Sequence, residues 1–306
     1  MGLLFRMPKR DAIWTIRQYE SVRSLLPTAR MPTQSTHYEN LSAISDHFDV
    51  FLLDAFGVLN VGETGINSAI ERVEYLKNIG KTVLVLTNGA RLPVEHALQK
   101  FLKLGYQFEL PDIVSSRDAL AAALPPLPDD GFWGVMSSQN SKIETLGVPC
   151  YRLEDDKLTY DKASGFILLS SSEWNNARQL LLRGSLAQAS RPILVGNPDI
   201  IAPRESQLSL EPGHYAYELG RDLNLELKLF GKPFANIYDL AFKRLPNVDR
   251  SRVVMVGDSL HTDILGGAAY GLKTVLVTEH GLFSGFDCTR FIAETKIVPD
   301  FIIPTI

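Results

Sequence analysis

A chain of 306 residues with 45% hydrophobic and 22% charged residues has the balance of a folded globular protein rather than a disordered one. Its length suits about two domains of ordinary size, or one large α/β domain. A formal charge of −4 argues against a nucleic-acid partner, and the scattered Lys and Arg read as solvated faces.

No apolar run approaches the ~18 residues of a membrane span. The stretch "MGLLFRMPKRD" carries too short an apolar core for a secretory signal, so the expectation is a cytoplasmic protein with no membrane partner. Cys150 and Cys288 lack metal-ligand spacing and read as ordinary thiols in a reducing compartment.

In chain order, Asp11 is a candidate N-cap for a helix over 11–26 that spaces Ile13, Ile16, Tyr19 and Val22 helically. "PTARMPTQSTH" follows as a loop, and residues 1–40 are expected to form a helical appendage packed on the main body. From residue 41 strands and helices alternate: strand "DVFLLD", helix "INSAIERVEYLKNIG", strand "KTVLVLTN", helix "PVEHALQKFLKLG". The rhythm returns near the other end with strands "SRVVMVGD" and "LKTVLVTE" around the helical "TDILGGAAYG". Such βαβα order predicts a parallel sheet with crossover helices.

Between these blocks lie the strands "GFWGVMSS", "SGFILLS" and "RPILVGNPD", entered through the Pro-rich "LPPLPDDG". The expected organisation is therefore a core of residues 41–118 and 226–306, interrupted by an α/β insertion over 119–225.

Three strands run into polar residues: Asp54 after "FLL", Thr87 and Asn88 after "VLVL", and Gly257 and Asp258 after "VVMV". In an open parallel sheet that strand edge is where ligands bind, and helix N-termini there offer N–H groups to anions. Lys232, in "GKP", precedes a helix start that opposes a cation and so needs an anion nearby. Asp263 lies five residues beyond Asp258. With Asp54 the two could hold a hard divalent cation, or they could simply cap the next helix.

"DAFGVL", "VLTNGAR", "GKP" and "GDSLHTD", in this order, resemble the four motifs of the haloacid-dehalogenase-like hydrolase superfamily. The insertion carrying "VGNPD" is similar to the type-2 cap of its class IIA, NagD-like branch. The likeness covers roughly residues 41–300. It implies a Rossmann-like, doubly wound parallel sheet with an inserted α/β cap, and a hydrolase acting on small phosphorylated metabolites.

By the same resemblance Asp54 would be a nucleophile forming an aspartyl-phosphate, and Lys232 would neutralise charge on the transferring group. Thr87 and Asn88 would hold phosphoryl oxygens. Mg2+ would be bound by Asp54, Asp258 and the Phe56 carbonyl, with Asp263 steadying the shell. Asn197 and Asp199 of the cap would face the substrate, a structural Asx turn being the alternative. Capped relatives often dimerise through the cap, so a homodimer stays open, with nothing in the sequence to decide it.

The pattern breaks at Phe56, where such phosphatases usually carry a second aspartate that protonates the leaving oxygen. Metal binding through the Phe56 backbone survives this change, but acid–base help does not. Glu63, His261 and His280 are candidate replacements. Two other readings compete: dehalogenase-like hydrolysis, where an aromatic residue stands at this position and no metal is used, and a phosphate- or nucleotide-binding regulator without useful turnover. "SLEPGHYAYEL" resembles the family's Pro-Gly loop, with His214 expected to narrow the pocket rather than to take part in catalysis.

Overall fold

The apolar runs at 50–53, 82–87, 253–257 and 273–277 read as continuous hydrophobic stretches because both of their faces are covered. In the computed structural model, which describes residues 11–203 and 208–306, they form the middle of a parallel sheet. The strands up to residue 115 are β1 (Thr36–His37), β2 (Val50–Leu53), the short hairpin β3 (Asn60–Val61) and β4 (Thr64–Gly65), β5 (Thr82–Thr87) and β6 (Ile113–Ser115). Then come β7 (Trp133–Met136), β8 (Cys150–Arg152), β9 (Gly165–Leu168), β10 (Ile193–Val195), β11 (Ile201–Pro203), β12 (Leu208–Leu210) and β13 (Leu227–Leu229). The chain closes with β14 (Val253–Gly257), β15 (Lys273–Val277) and β16 (Phe301–Ile303).

The larger sheet has the order β1-β16-β15-β14-β2-β5-β6 with every pair parallel. Side-chain alternation assigns its two faces. Phe51, Leu53, Val83, Val85, Val254 and Val256 pack on one face with Val73 and Leu76 of α2 (Asn67–Asn78) and Phe101 of α3 (Val94–Lys103). Val50, Leu52, Leu84, Val253 and Met255 pack on the other with Ile237, Tyr238 and Ala241 of the helix Ala235–Phe242. Helices on both faces of a parallel sheet make this a doubly wound, Rossmann-like α/β architecture.

The segment between β6 and β14 builds a second parallel sheet, in the order β13-β10-β9-β7-β8, with its own core around Tyr160, Phe166, Leu168, Leu182 and Val195. β11 and β12 form a separate antiparallel pair. A further cluster joins Ala90, Ala119 and Leu120 to Trp133, Val135, Ile167 and Phe230, so the two sheets share apolar contact near the linkers.

Residues 1–10 lie outside the described residues, but 11–40 are more integrated than an appendage. Asp11 caps α1 (Ala12–Ser21) by accepting the Trp14 N–H at 3.0 Å. β1 extends the larger sheet by pairing with β16. No apolar alternation announces a two-residue edge strand, and its pairing partner lies more than 260 residues away. The "SLEPG" stretch likewise opens a helix, Pro212–Leu223, whose proline occupies the first turn, where a missing N–H costs nothing.

α4 (Ser116–Ala121) carries a polar staple between the sheets. The buried Arg117 guanidinium donates to the carbonyls of Ala90 (3.1 Å), Ser141 (3.0 Å) and Lys142 (2.8 Å) and to Thr145 Oγ1 (3.0 Å). No carboxylate is among these partners; a planar fork of donors meets a ring of fixed acceptors. Arg117→Ala should lower the unfolding free energy by on the order of 3 kcal/mol, because buried carbonyls lose charge-assisted partners. Arg117→Lys should restore less than half of the loss; urea denaturation midpoints of the three proteins check both statements.

Candidate active site

The C-terminal ends of β2, β5 and β14 lie side by side, and the residues that follow them meet at one point. Asp54 extends β2, its N–H donating to the Val256 carbonyl at 2.8 Å. Lys232 reaches in from the turn before the helix Ala235–Phe242. Its Nζ donates to Asp54 Oδ1 at 2.5 Å and to Asp263 Oδ1 at 2.7 Å. The lysine side chain is 2% exposed and Asp263 is 1% exposed, so water screens this pair little. Burial works against the lysine's charge, but Asp263 and Asp54 outweigh it and hold its pKa above the ordinary lysine value. The anion that Lys232 needs is therefore supplied by the protein's own carboxylates.

Asp263 sits in the wide helical turn Leu260–Ile264, where its second oxygen accepts the Ser259 N–H at 3.1 Å. Asp258 accepts the Leu282 N–H at 2.8 Å. Burial, then the charges of Asp54 and Asp263, push the Asp258 pKa well above the carboxylate range. Burial likewise raises Asp263, against the pull of Lys232. Two glycines with left-handed backbones, Gly57 (φ +80°) and Gly281 (φ +76°), allow the main chain to close around Asp258. A Cβ on either would lie 2.4 Å or 1.9 Å from its Oδ2.

Asp54, Asp258 and Asp263 offer oxygens that lie within 4.8 Å of one another. Three carboxyl groups and one ammonium meet here, more acids than the lysine alone can balance. That donor set fits a hard divalent cation with oxygen ligands.

Thr87 ends β5, and its Oγ1 accepts the Gly89 N–H at 3.0 Å. The Asn88 side chain is fully engaged: Nδ2 donates to Asp199 Oδ1 and to the Lys232 carbonyl, both at 2.8 Å, while Oδ1 accepts the Lys232 N–H at 2.7 Å. Asn88 thus ties the loop carrying Lys232 to the insertion. Asn197 makes the Asx turn, Oδ1 accepting the Asp199 N–H at 3.0 Å, and its Nδ2 donates to Glu211 at 3.1 Å. Burial pushes the Asp199 pKa up to about 8, opposed by the Asn88 hydrogen bond and Lys232.

Asp54, Thr87, Asn88, Asn197, Asp199, Lys232 and Asp258 line one cavity of about 660 Å³, walled by α3, by Ser170–Ser172 and Glu211 of the insertion, and by Thr15 and Tyr19 of α1.

Two family models match the chain: "Haloacid dehalogenase-like hydrolase" over residues 51–147, and a HAD-hydrolase-like model over 229–306. The chain belongs to the haloacid dehalogenase-like hydrolases. Within that family it falls in the class IIA, NagD-like branch. A Caenorhabditis elegans NipSnap protein is 30% identical over 254 residues, 74% of this chain and 47% of that protein, so the chain spans about half of that relative's length. Phosphoglycolate phosphatase 2 of Arabidopsis thaliana is 26% identical over 297 residues, covering 90% of this chain and 97% of the relative. Among solved structures, a HAD-superfamily protein from Cytophaga hutchinsonii, described as a possible sugar phosphatase, superposes with a TM-score of 0.78 at 26% identity. That match covers 89% of this chain and 98% of the other.

In this haloacid dehalogenase-like hydrolase Phe56 presents a ring, not an acid, to the cavity, and Lys100 Nζ lies 4.7 Å from its centroid. Of the three candidate replacements only Glu63 lines the cavity, where Lys100 Nζ approaches it at 3.1 Å. His261 is buried beneath α1, stacked on Tyr19 and bonded to Glu20 at 2.7 Å; burial lowers its pKa. His280 and His214 are not among the cavity-lining residues, and His214 packs near Trp14.

Sequence reasoning did not bring in Leu282, Glu211, Thr15 or Tyr19. Leu282 contributes only a backbone N–H, which leaves no residue-type signal, and the others are placed by contacts distant in the chain.

Asp199 also gives a pH dependence. Its folded pKa is raised above the unfolded value of about 3.9, so the folded state holds the proton more tightly. Its penalty is absent below about pH 4 and grows as pH rises toward about 8. Asp199→Asn keeps an acceptor for Asn88, so it should melt above wild type at pH 8, with the gap closing toward pH 5. Thermal unfolding across that range measures the difference.

Proposed function

We propose that this chain is a phosphatase of small phosphorylated metabolites that works through a phosphorylated Asp54, with Mg2+ as cofactor. The observation that carries the reading is the buried Lys232 ammonium held between Asp54 and Asp263 at the floor of the cavity. The lysine holds the Asp54 carboxylate in place and sets a cation beside it for the transferring group. The names of the Arabidopsis and Cytophaga relatives support the same reaction class.

Attack of an Asp54 oxygen on phosphorus forms one O–P bond while the bond to the leaving oxygen breaks. Water then attacks the aspartyl-phosphate, releasing inorganic phosphate and restoring the carboxylate. Thr87 would steady phosphoryl oxygens. Asn88, with its side chain engaged, would contribute through its backbone and by fixing the Lys232 loop. Asp54, Asp258 and the Phe56 carbonyl would hold Mg2+, which when bound supplies further neutralisation of phosphoryl charge. Asp263 anchors Lys232 and the Ser259 N–H beside that site.

With Phe56 in place of the acid, ordinary alkyl esters lose a contribution of about 10²–10⁴-fold, so the substrates of choice are aryl or acyl phosphates whose leaving groups depart without a proton. The low turnover that follows is also what favours the regulator reading as the second choice.

A substrate panel with and without Mg2+ tests the proposal. Wild type should hydrolyse an aryl phosphate only with Mg2+, and Asp54→Asn should lower the rate by at least about a thousandfold. Phe56→Asp should raise alkyl-phosphate turnover by about 10²-fold or more. Turnover of no phosphate ester by wild type, with activity appearing only in Phe56→Asp, points to the binding role. Halide release from a 2-haloacid in EDTA would replace the phosphatase reading with the dehalogenase one.

A further inference from the structure

α1 lies outside both stretches matched by the family models, yet it forms part of the cavity wall. Ala12, Ile16 and Tyr19 on its apolar face, with Val22 at its C-cap, pack in one cluster against residues from both sheets' sides. Ile200, Ile201 and Tyr217 come from the insertion; Leu260, Ile264, Leu265 and Phe283 come from the core. A helix serving only to cover the core would have no reason to divide its contacts this way.

The polar contacts divide in the same manner, one to each side of the cleft. The Tyr19 hydroxyl oxygen accepts the N–H of Ile200 at 3.1 Å. Ile200 directly follows Asp199, whose carboxylate is bound to Asn88. The ring of Tyr19 stacks on His261 with centroids 4.9 Å apart and planes 8° from parallel. His261 lies two residues before Asp263 and is held from α1 a second time by Glu20. Tyr19 is 3% exposed, and its hydroxyl accepts a hydrogen bond from a buried backbone donor. Without that oxygen the Ile200 N–H would be left unsatisfied, a state that buried amides avoid.

We propose that Tyr19 is a positioning residue of the active site, setting the Asn197–Ile200 turn of the insertion at a fixed height above the carboxylates of the core. Its oxygen holds the turn and its ring rests on the segment that carries Asp258 and Asp263. The width of the cavity over Asp54 is thereby fixed by a residue from the first turns of the chain, so substrate size and KM depend on α1.

Tyr19→Phe keeps the ring and removes the acceptor, and Glu20→Gln perturbs the His261 contact without touching Ile200. Amide hydrogen exchange on the full chain should rise about tenfold or more at residues 197–202 in Tyr19→Phe, with the 82–87 and 253–257 strands unchanged. Glu20→Gln should leave exchange at 197–202 as in wild type. With 4-nitrophenyl phosphate and Mg2+, Tyr19→Phe should raise KM about 3- to 10-fold and change kcat by less than about 2-fold.

The kinetic arm rests on the phosphatase reading; the exchange arm does not. Absence of wild-type turnover together with a local rise in exchange would remove that reading and leave the placement of Tyr19 standing. Unchanged exchange at 197–202, or a rise spread evenly over the core strands, overturns the proposal. So does a local rise with both kinetic constants unmoved.

Discussion

A buried ammonium between two carboxylates organises this molecule. Lys232, Asp54 and Asp263 come from three separate elements, and none of them could be taken out of water alone without a large desolvation cost. Held together they fix the distance between β2, the turn after β14 and the loop that enters the helix Ala235–Phe242. The surrounding contacts serve that arrangement: Asn88 clamps the backbone on either side of the Lys232 amide, and Ser259 holds the far oxygen of Asp263. Removing one charge would leave the others unbalanced in a place where water screens them poorly. Stability and the proposed chemistry therefore draw on the same few groups.

Asn88 shows how the two sheets share the work. One amide donates to a core carbonyl and to the carboxylate of Asp199 on the insertion, so a single side chain spans the cleft. Arg117 does the equivalent job near the linkers with an array of carbonyls. These ties have different chemistry and different reach. The first lies inside the cavity and is open to a ligand; the second is buried away from it. A ligand that competes for Asn88 or Asp199 would loosen the cleft without disturbing the linker.

Much of this was legible in the residues. Apolar runs ending on Asp54, Thr87 and Asp258 pointed to one sheet edge, because a parallel sheet leaves its strand ends as the place where polar groups can meet. Lys232 was found because a cation before a helix start asks for an anion. What stayed hidden was whatever depended on contacts between distant parts of the chain. Nothing in "DAIWTIRQYE" distinguishes Tyr19 from any other apolar-face residue of an amphipathic helix; its role appears only when Ile200, 181 residues away, is placed beside it. Asn88 read as a phosphate ligand because its side chain's partners, Asp199 and Lys232, lie 111 and 144 residues further on. β1 escaped notice because two residues carry no period.

The register between β2 and β14 has a consequence for how the chain is made. Val50 pairs with Val253, so the strand that leads into Asp54 finds one of its central neighbours only after about 200 further residues exist. At a synthesis rate of about 5–20 residues per second, that is a wait on the order of 10–40 s, during which one edge of an apolar strand stays open. The insertion, with a parallel sheet of its own, is completed within this interval. Asp54 can therefore meet Lys232 and Asp263 only well after its own strand has been made. Until β14 arrives that open edge is a template for pairing with another strand, a hazard the finished fold no longer reveals.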